Sequence, residues 1–405
     1  MIIASIYTQD IGVLREGKNG IEFEFYESFD YDALPISPLV MNPKNKTLYN
    51  YFDNMHTKGM PGIFEDSMPD GFGARLMREY FSKVQGAQTI TQLQKLAFVG
   101  EDGIGAIEYT PSIEAHKSFL IDLETLPKRL KENISGDTDY VMTELIKMPS
   151  PGGARPKVSV LWNQQTGQMQ GGSTQHAKEN FEPWIIKFDE DDKEITKIEK
   201  LYHDIAKNAG LDVPLTELLV VSGMTHLAIK RFDRIVSEKI HQATLSGLTH
   251  KDYLEQGLLS YENYMTITHR LTQDMSQTKE AYRRMIFNVI GKNCDDHLKN
   301  FSFLMNAVGE WSVSPVYDIL YNYGPAKYGE HHMSVNGKFS NITREDFITA
   351  GKKSSLRPQW MNDTIDNILD AFYQGLREMD KYHISIKMQE ELTKEIGNKL
   401  VEYKK

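Results

Sequence analysis

One cysteine, Cys294, stands among 405 residues, so no internal disulfide can form, and a reducing compartment, the cytoplasm first, is expected. No run of about 18 apolar residues occurs, and no membrane span is expected. The opening MIIASIYTQD lacks a basic region followed by a long apolar stretch, so it does not read as a secretory signal. Positive charge is in deficit: 46 Lys and Arg face 56 Asp and Glu, a net charge of −10. Such a chain is not a general nucleic-acid binder, because phosphate binding needs a basic surface. A local basic patch, or DNA reached through a partner, stays open. Internal repeats and low-complexity tracts are missing too. What remains is ordinary for a soluble globular protein, with 40% hydrophobic and 25% charged residues. The length suffices for a large core and two or three sub-domains.

The first 25 residues read as a meander, IIASIYT, GVLRE, a GKNG turn and IEFEFYE. Residues 46–110 are mainly helical in pattern, with GARLMREYFSKV the best amphipathic segment, and end in the strand GAIEYT. Pro111 and the polar stretch to about residue 118 suit a boundary. Two helical patterns follow, LETLPKRLKEN and DYVMTELIKM, then the turn SPGGARPK and the strand VSVLWN. NQQTGQMQGGSTQHAKEN reads as a loop or a wide hairpin connection, WIIKF as a short strand. TKIEKLYHDIAKNAG is a helix stopped by Gly210, and ELLVVSG and THLAIKRFD are further strands. Beyond about residue 250 helices dominate. Strands and helices segregated in this way predict an α+β fold with a cleft between the two parts.

The most informative stretch is NCDDHLKNFSFLM, residues 293–305, where two carboxylates, an imidazole, an ammonium and an amide crowd one turn. It lies between a helical pattern, AYRRMIFNVIGKN, and a short strand. Upstream, Gly152 and Gly153 precede a strand, Lys187 lies inside WIIKF and Glu199 sits on the next helix. Downstream, Asp318 follows in VYDIL. A phosphoryl-transfer enzyme needs these parts, and it is their order and joint fit to one mechanism that make the case. Glycines let backbone N–H groups approach phosphates, and a lysine steadied by a helix glutamate neutralises them. An aspartate positions the attacking hydroxyl, and an asparagine five residues on, with a later aspartate, holds magnesium. Asp295 and Asn300 have the D-x4-N spacing of the protein-kinase catalytic loop.

Each piece alone has a plainer reading: a turn for the glycines, an edge lysine for Lys187, a solvated face for Glu199, the cap of a helix starting at Ile319 for Asp318. Two rival chemistries use the same turn. Asp295, Asp296 and His297, with His331 and His332 later, would be metal ligands of a hydrolase. Cys294 would be a nucleophile, against its plainer reading as a small buried hydrophobe.

Eight segments resemble one family, the HipA serine/threonine kinases of bacterial toxin–antitoxin pairs. They are SMPDGFGARLM, FVGEDGIGAIEY, SPGGARPK, WIIKF, HLAIKRFDR, FNVIGKNCDDHLKNFSFL, SPVYDIL and HHMSVNGK, in family order across nearly the whole chain. The resemblance implies a two-lobed protein-kinase-like core with an added N-terminal sub-domain. This gives residues 1–112 as the N-terminal sub-domain, 113–248 as a mixed N-lobe with the Gly-rich loop, and 249–405 as a helical C-lobe. It puts the catalytic aspartate at Asp295, the magnesium ligands at Asn300 and Asp318, and phosphate contact at Lys187. Gly152, Gly153, Ala154, Arg155 and Lys157 would cradle ATP. Lys230 to Phe232 would form the hinge beside adenine, with His297 and Tyr317 lining the nucleotide site. Ser150 matches the family's inhibitory autophosphorylation serine.

Two positions depart from known patterns. Lys230 stands where the best-known member has an acidic residue. Lys299 lies four residues after Asp295, not two as in ordinary protein kinases, and either meets the γ-phosphate or is solvated. The resemblance implies ATP and Mg2+ as cofactors and a HipB-like helix-turn-helix antitoxin as partner. The implied substrate is a host protein, an aminoacyl-tRNA synthetase such as glutamate–tRNA ligase first. The competing functions are a non-catalytic co-repressor or scaffold, and a kinase for a small molecule or lipid head group.

Overall fold

The computed structural model describes residues 1–49, 59–85, 89–113, 119–121, 153, 155–171, 180–189, 193–235, 238–322 and 329–404. Its first sheet comes from alternating sequence. β1 (Ile2–Ile6) and β3 (Gly20–Phe25) put every second residue inward, β2 (Gln9–Gly17) between them buries the continuous run Ile11 to Leu14, and Gly17 and Gly20 pair across the tight turn. β4 (Leu48–Tyr49) adds an edge. Helices α1 (Gly62–Glu65), α2 (Gly71–Gln85) and α3 (Gln92–Val99) follow, and β5 (Ile107–Thr110) returns to pair with β1, giving the antiparallel order β4-β3-β2-β1-β5. Thr91 and Gln94 form a capping box that starts α3.

The second sheet holds β6 (Phe119–Ile121), β7 (Lys157–Trp162), β8 (Met169–Gly171), β9 (Glu182–Lys187), β10 (Thr216–Val221) and β11 (Met224–Lys230), in the order β10-β11-β9-β7-β8-β6. β8 is a departure from expectation. It lies in the segment read as a loop or connection, where three residues among glutamines and glycines give no periodic signal. Pairing with β6 and β7 makes the strand. The two helical patterns expected between residues 121 and 149 lie outside the described residues.

Between β9 and β10 runs α4 (Ile195–Asn208), whose Ile198, Leu201, Tyr202 and Ile205 recur at helical spacing and are buried. A short ribbon, β12 (Arg234–Ile235) and β13 (Glu238–Lys239), leads to β14 (His241–Thr244), α5 (Leu245–Thr249), α6 (Tyr261–Thr272) and α7 (Met275–Ile290). After the polar turn, β15 (Ser302–Met305) and β16 (Trp311–Val313) join β14 in a small sheet. Helices α8 (Arg344–Lys353), α9 (Pro358–Leu376) and α10 (Ile386–Tyr403) complete the helical part.

Two apolar clusters hold these parts together. The larger joins the first sheet, α4 and the helices after residue 245. The smaller packs Phe72, Leu76, Tyr80 and Phe81 of α2 against Val158, Val160, Trp184 and Ile186 of the second sheet. The N-terminal segment therefore contributes to both, its sheet on one side and α2 on the other. Helix α4 is rooted in the helical part. The Tyr202 ring lies 5.6 Å from Phe372, its hydroxyl donates to the Gly291 carbonyl at 2.5 Å, and Gly375 leaves no room beside Ile205 for a side chain.

Candidate active site

Strands β7 and β9 pair so that Lys157 lies opposite Lys187, and both side chains are buried. A buried ammonium needs charged partners. Lys187 has two: Glu199 Oε1 at 2.5 Å, from the second turn of α4, and Asp318 Oδ1, from a residue 131 positions away. Glu199 is itself buried. Asp318 adopts φ +52°, a left-handed conformation that costs a non-glycine residue energy. No described helix starts at Ile319, so the capping role does not apply. Burial alone would push the Asp318 carboxyl up. Lys187, Lys157 and Arg155 overcome that and hold it well below the usual carboxylate range. Burial likewise works against the Lys187 ammonium, but Asp318 and Glu199 leave it above the ordinary lysine value. Lys157 stays lowered, because burial outweighs its attraction to Asp318. Its Nζ passes so close to Gly153 that a Cβ there would lie 2.4 Å away, and Gly153 has φ +111°. Only glycine fits that approach.

The polar turn begins where Gly291 ends α7 and tightens into one 3-10 turn, Leu298–Asn300. The side chain of Asp295 is about one-third exposed. Asn322 Nδ2 donates to its Oδ2 at 3.3 Å, and His297 Nε2 lies 4.0 Å from Oδ1. Asn300 Nδ2 donates to the Asp295 carbonyl at 2.7 Å, closing the turn on itself. Asp296 points the other way and is fully buried. It accepts from Tyr261 OH at 2.6 Å and from the His332 N–H at 2.7 Å, and it pairs with His331 Nδ1 at 2.9 Å. Burial opposes charge on His331, but Asp296 prevails and raises its imidazole to about 10. With its oxygens committed there, Asp296 cannot join Asp295 and His297 around a metal, and no metal-holding group of three His, Cys, Asp or Glu occurs among the described residues. Cys294 is buried, its Sγ 3.3 Å from the Gly329 carbonyl. His331 Nε2 lies 3.9 Å from the same sulfur, but His331 is committed to Asp296 and the thiol is closed off from solvent, which argues against the nucleophile.

Lys299 is neither solvated nor alone. Its Nζ meets Glu65 Oε1 at 3.0 Å and Asp70 Oδ2 at 3.2 Å, and lies 4.6 Å above the Tyr253 ring. Burial would lower it, yet Glu65 and Asp70 raise it above the usual value. The Tyr317 hydroxyl donates to the Lys299 carbonyl at 2.6 Å, which ties the segment carrying Asp318 to the polar turn. The Phe232 ring leans on Tyr317 with centroids 5.8 Å apart. His297 packs 5.1 Å from the Tyr253 ring. Lys230 turns aside to pair with Glu182 at 2.6 Å. Ser150, Gly152 and Ala154 lie outside the described residues.

The geometry thus brings Lys187, Glu199, Asp318, Lys157 and Arg155 into one electrostatic cluster, and links Asp295, Asn300 and Lys299 through the adjoining turn. Asp318 and Asn300 offer hard oxygen donors of the kind magnesium takes, and Asp318 is kept ionised. Sequence reasoning gave no role to Glu65, Asp70 or Asn322. Asp70 stood in plain view within SMPDGFGARLM, but nothing local shows that a carboxylate before α2 faces a turn 229 residues later.

Residues 149–376 match the model of the HipA-like C-terminal domain, and residues 2–110 that of the HipA N-terminal domain. The candidate kinase Y4dM of Sinorhizobium fredii is 25% identical over 339 residues, spanning 77% of this chain and 75% of its own. A candidate kinase of Haemophilus influenzae is 31% identical over 130 residues, 29% of this chain and 38% of its own. Among solved structures, HipA of Shewanella oneidensis MR-1, determined with HipB and operator DNA, superposes with a TM-score of 0.67 at 15% identity. That match covers 99% of this chain and 96% of the other. Identity that low speaks to the fold, which is the two-lobed α+β architecture. With both domain models matched in order around this cluster, the chain belongs to the HipA family and is a kinase of that family.

Proposed function

We propose that this chain is an ATP- and magnesium-dependent protein serine/threonine kinase that restrains growth as the toxin of a toxin–antitoxin pair. The observation that carries this reading is the meeting of Lys187 with Glu199 and Asp318, the lysine–glutamate–aspartate set that phosphoryl transfer requires. Gly152 to Lys157 cradle the phosphates, Lys187 neutralises them, and Lys230 to Phe232 with Tyr317 and His297 border the base. Asp295, held by Asn322, orients the attacking hydroxyl and takes its proton. Asn300 and Asp318 would hold Mg2+, which draws charge from the phosphate oxygens when bound. In this reading residues 1–112, 113–248 and 249–405 act as N-terminal sub-domain, N-lobe and C-lobe. A host protein is the substrate, with glutamate–tRNA ligase the first to try, and phosphorylation of Ser150 limits the enzyme by adding a dianion beside the phosphate-binding loop.

A HipB-like antitoxin with a helix-turn-helix is the partner. It would make the DNA contacts that a chain of net charge −10 is ill suited to make itself. The setting is the cytoplasm, and no described helix is long and apolar enough to cross a membrane.

Intact mass after incubation with MgATP tests the kinase. Wild type should gain phosphate, mapped by peptide to Ser150, and Asp295→Asn should slow the gain about 10²- to 10⁴-fold. No gain in wild type, with no transfer to candidate proteins, would leave a scaffold as the better reading.

A further inference from the structure

The kinase reading treats separately Gly153, shortly before β7, and the polar turn around residue 299. One carboxylate touches both. Asp70 Oδ1 accepts the backbone N–H of Gly153, while Oδ2 accepts Lys299 Nζ at 3.2 Å. The Phe72 N–H donates to the Gly153 carbonyl at 3.1 Å, so both backbone groups of that glycine are held from the start of α2. Asp70 stands where the N-cap of α2 belongs, its carbonyl accepting from Ala74 at 3.3 Å. An aspartate there ordinarily turns its side chain onto its own helix. Here both oxygens reach outside it.

The surroundings fix this carboxylate firmly. Its side chain is about one-fifth exposed, and Glu65 Oε1 shares Lys299 at 3.0 Å. α2 below it is bound to the second sheet through Phe72, Leu76 and Phe81. The first sheet of the same N-terminal segment is bound into the large core with α7. Asp70 is therefore carried by a segment anchored in both halves of the molecule, at the point where those halves face each other.

We propose that Asp70 is a positioning residue of the kinase: it sets the spacing between the glycine segment and the catalytic turn, so that the N-terminal sub-domain determines how ready the cleft is for nucleotide. The inference rests on the kinase reading and adds to it. With Asp70 in place, Gly153 is ordered before ATP arrives and Lys299 is held beside Asn300. Without it, both must be ordered at the expense of binding. Charge repulsion between Asp70 and phosphate acts in the opposite sense, so affinity decides the matter.

The test is calorimetric affinity for MgATP on full-length protein, with kcat, KM for ATP and Tm measured alongside. Asp70→Ala should weaken Kd and raise KM about tenfold, the scale of one charge-assisted hydrogen bond. Asp70→Asn keeps an oxygen for the Gly153 N–H and should recover affinity to within about threefold, while its lost charge at Lys299 shows in kcat. A purely structural role would lower Tm and leave KM of the folded enzyme unchanged. Should Asp70→Ala fail to fold, Asp70→Gly, which removes both side-chain contacts but is well tolerated at a helix N-cap, replaces it, with Kd and KM again expected to rise about tenfold. Affinity within twofold of wild type, or tighter, in the folded variant overturns the proposal and leaves the kinase intact. Wild type that binds no MgATP overturns both.

Discussion

The two apolar cores differ in what they support. The large one roots the polar turn: α7, which ends at Gly291 just before it, carries Phe287 and Ile290 into that core beside Tyr202 and Phe372. The small one lies under the second sheet, which carries Lys157 and Lys187, and consists of α2, parts of α3 and one sheet face. Local stability follows the apolar contact beneath each element. The polar turn should thus share the stability of the whole molecule, while the strands carrying Lys157 and Lys187 open more readily. On the proposed reading the chemistry falls to the firmer half and the nucleotide to the looser one, with Lys187 bridging them through Glu199 and Asp318.

Three changes would break or sharpen this contrast. Phe287→Ala removes a fully buried ring in the large core and should cost about 3–5 kcal/mol. Denaturant unfolding should shift as one transition, and a shift under about 1 kcal/mol would show that α7 is no common root. Asp296→Asn breaks a buried pair and should cost about 3 kcal/mol near neutral pH. Its pH dependence has a definite sign. The folded imidazole of His331, raised to about 10, exceeds the ordinary 6.5, so the stabilisation is complete below pH 6.5 and lost as pH rises through 10. The gap between wild type and variant should therefore shrink across that window in pH-resolved denaturation, and a gap that widens would refute the pairing. Ile186→Val in the small core should cost only about 0.5–1.5 kcal/mol. Hydrogen exchange should quicken in β7 and β9 but not in α7. Uniform quickening would mean that the two cores unfold together.

Much of this was legible from residue order. The alternating first strands, the helix bearing Glu199 and the strand bearing Lys187 were readable because period and turn residues are local properties. The D-x4-N pair is common by chance, and it and Asp318 stood out only through their order with the glycines, Lys187 and Glu199. β8 was not, since three polar-flanked residues become a strand only through neighbours. Asp70 and Asn322 were not, because their partners lie 83 and 27 residues away and nothing in the nearby sequence selects them. Asp296 was offered as a metal ligand beside Asp295. Adjacent residues in a turn face opposite ways, and only the fold reveals that Asp296 is consumed by Tyr261, His331 and His332.

The segment just after β11 carries a consequence for movement within the molecule. Arg231 and Arg234 close on Asp233 at 2.7 and 2.9 Å and reach the carbonyls of Gly103 and Gly105, while the Gly105 N–H returns a bond to Asp233. Buried charges so interlocked are expensive to separate. The two ion pairs join near neighbours and would survive a rotation of this segment as a unit, so what such a rotation has to break is the set of bonds to Gly103 and Gly105, and the N-terminal segment acts as a brace on the stretch that follows β11.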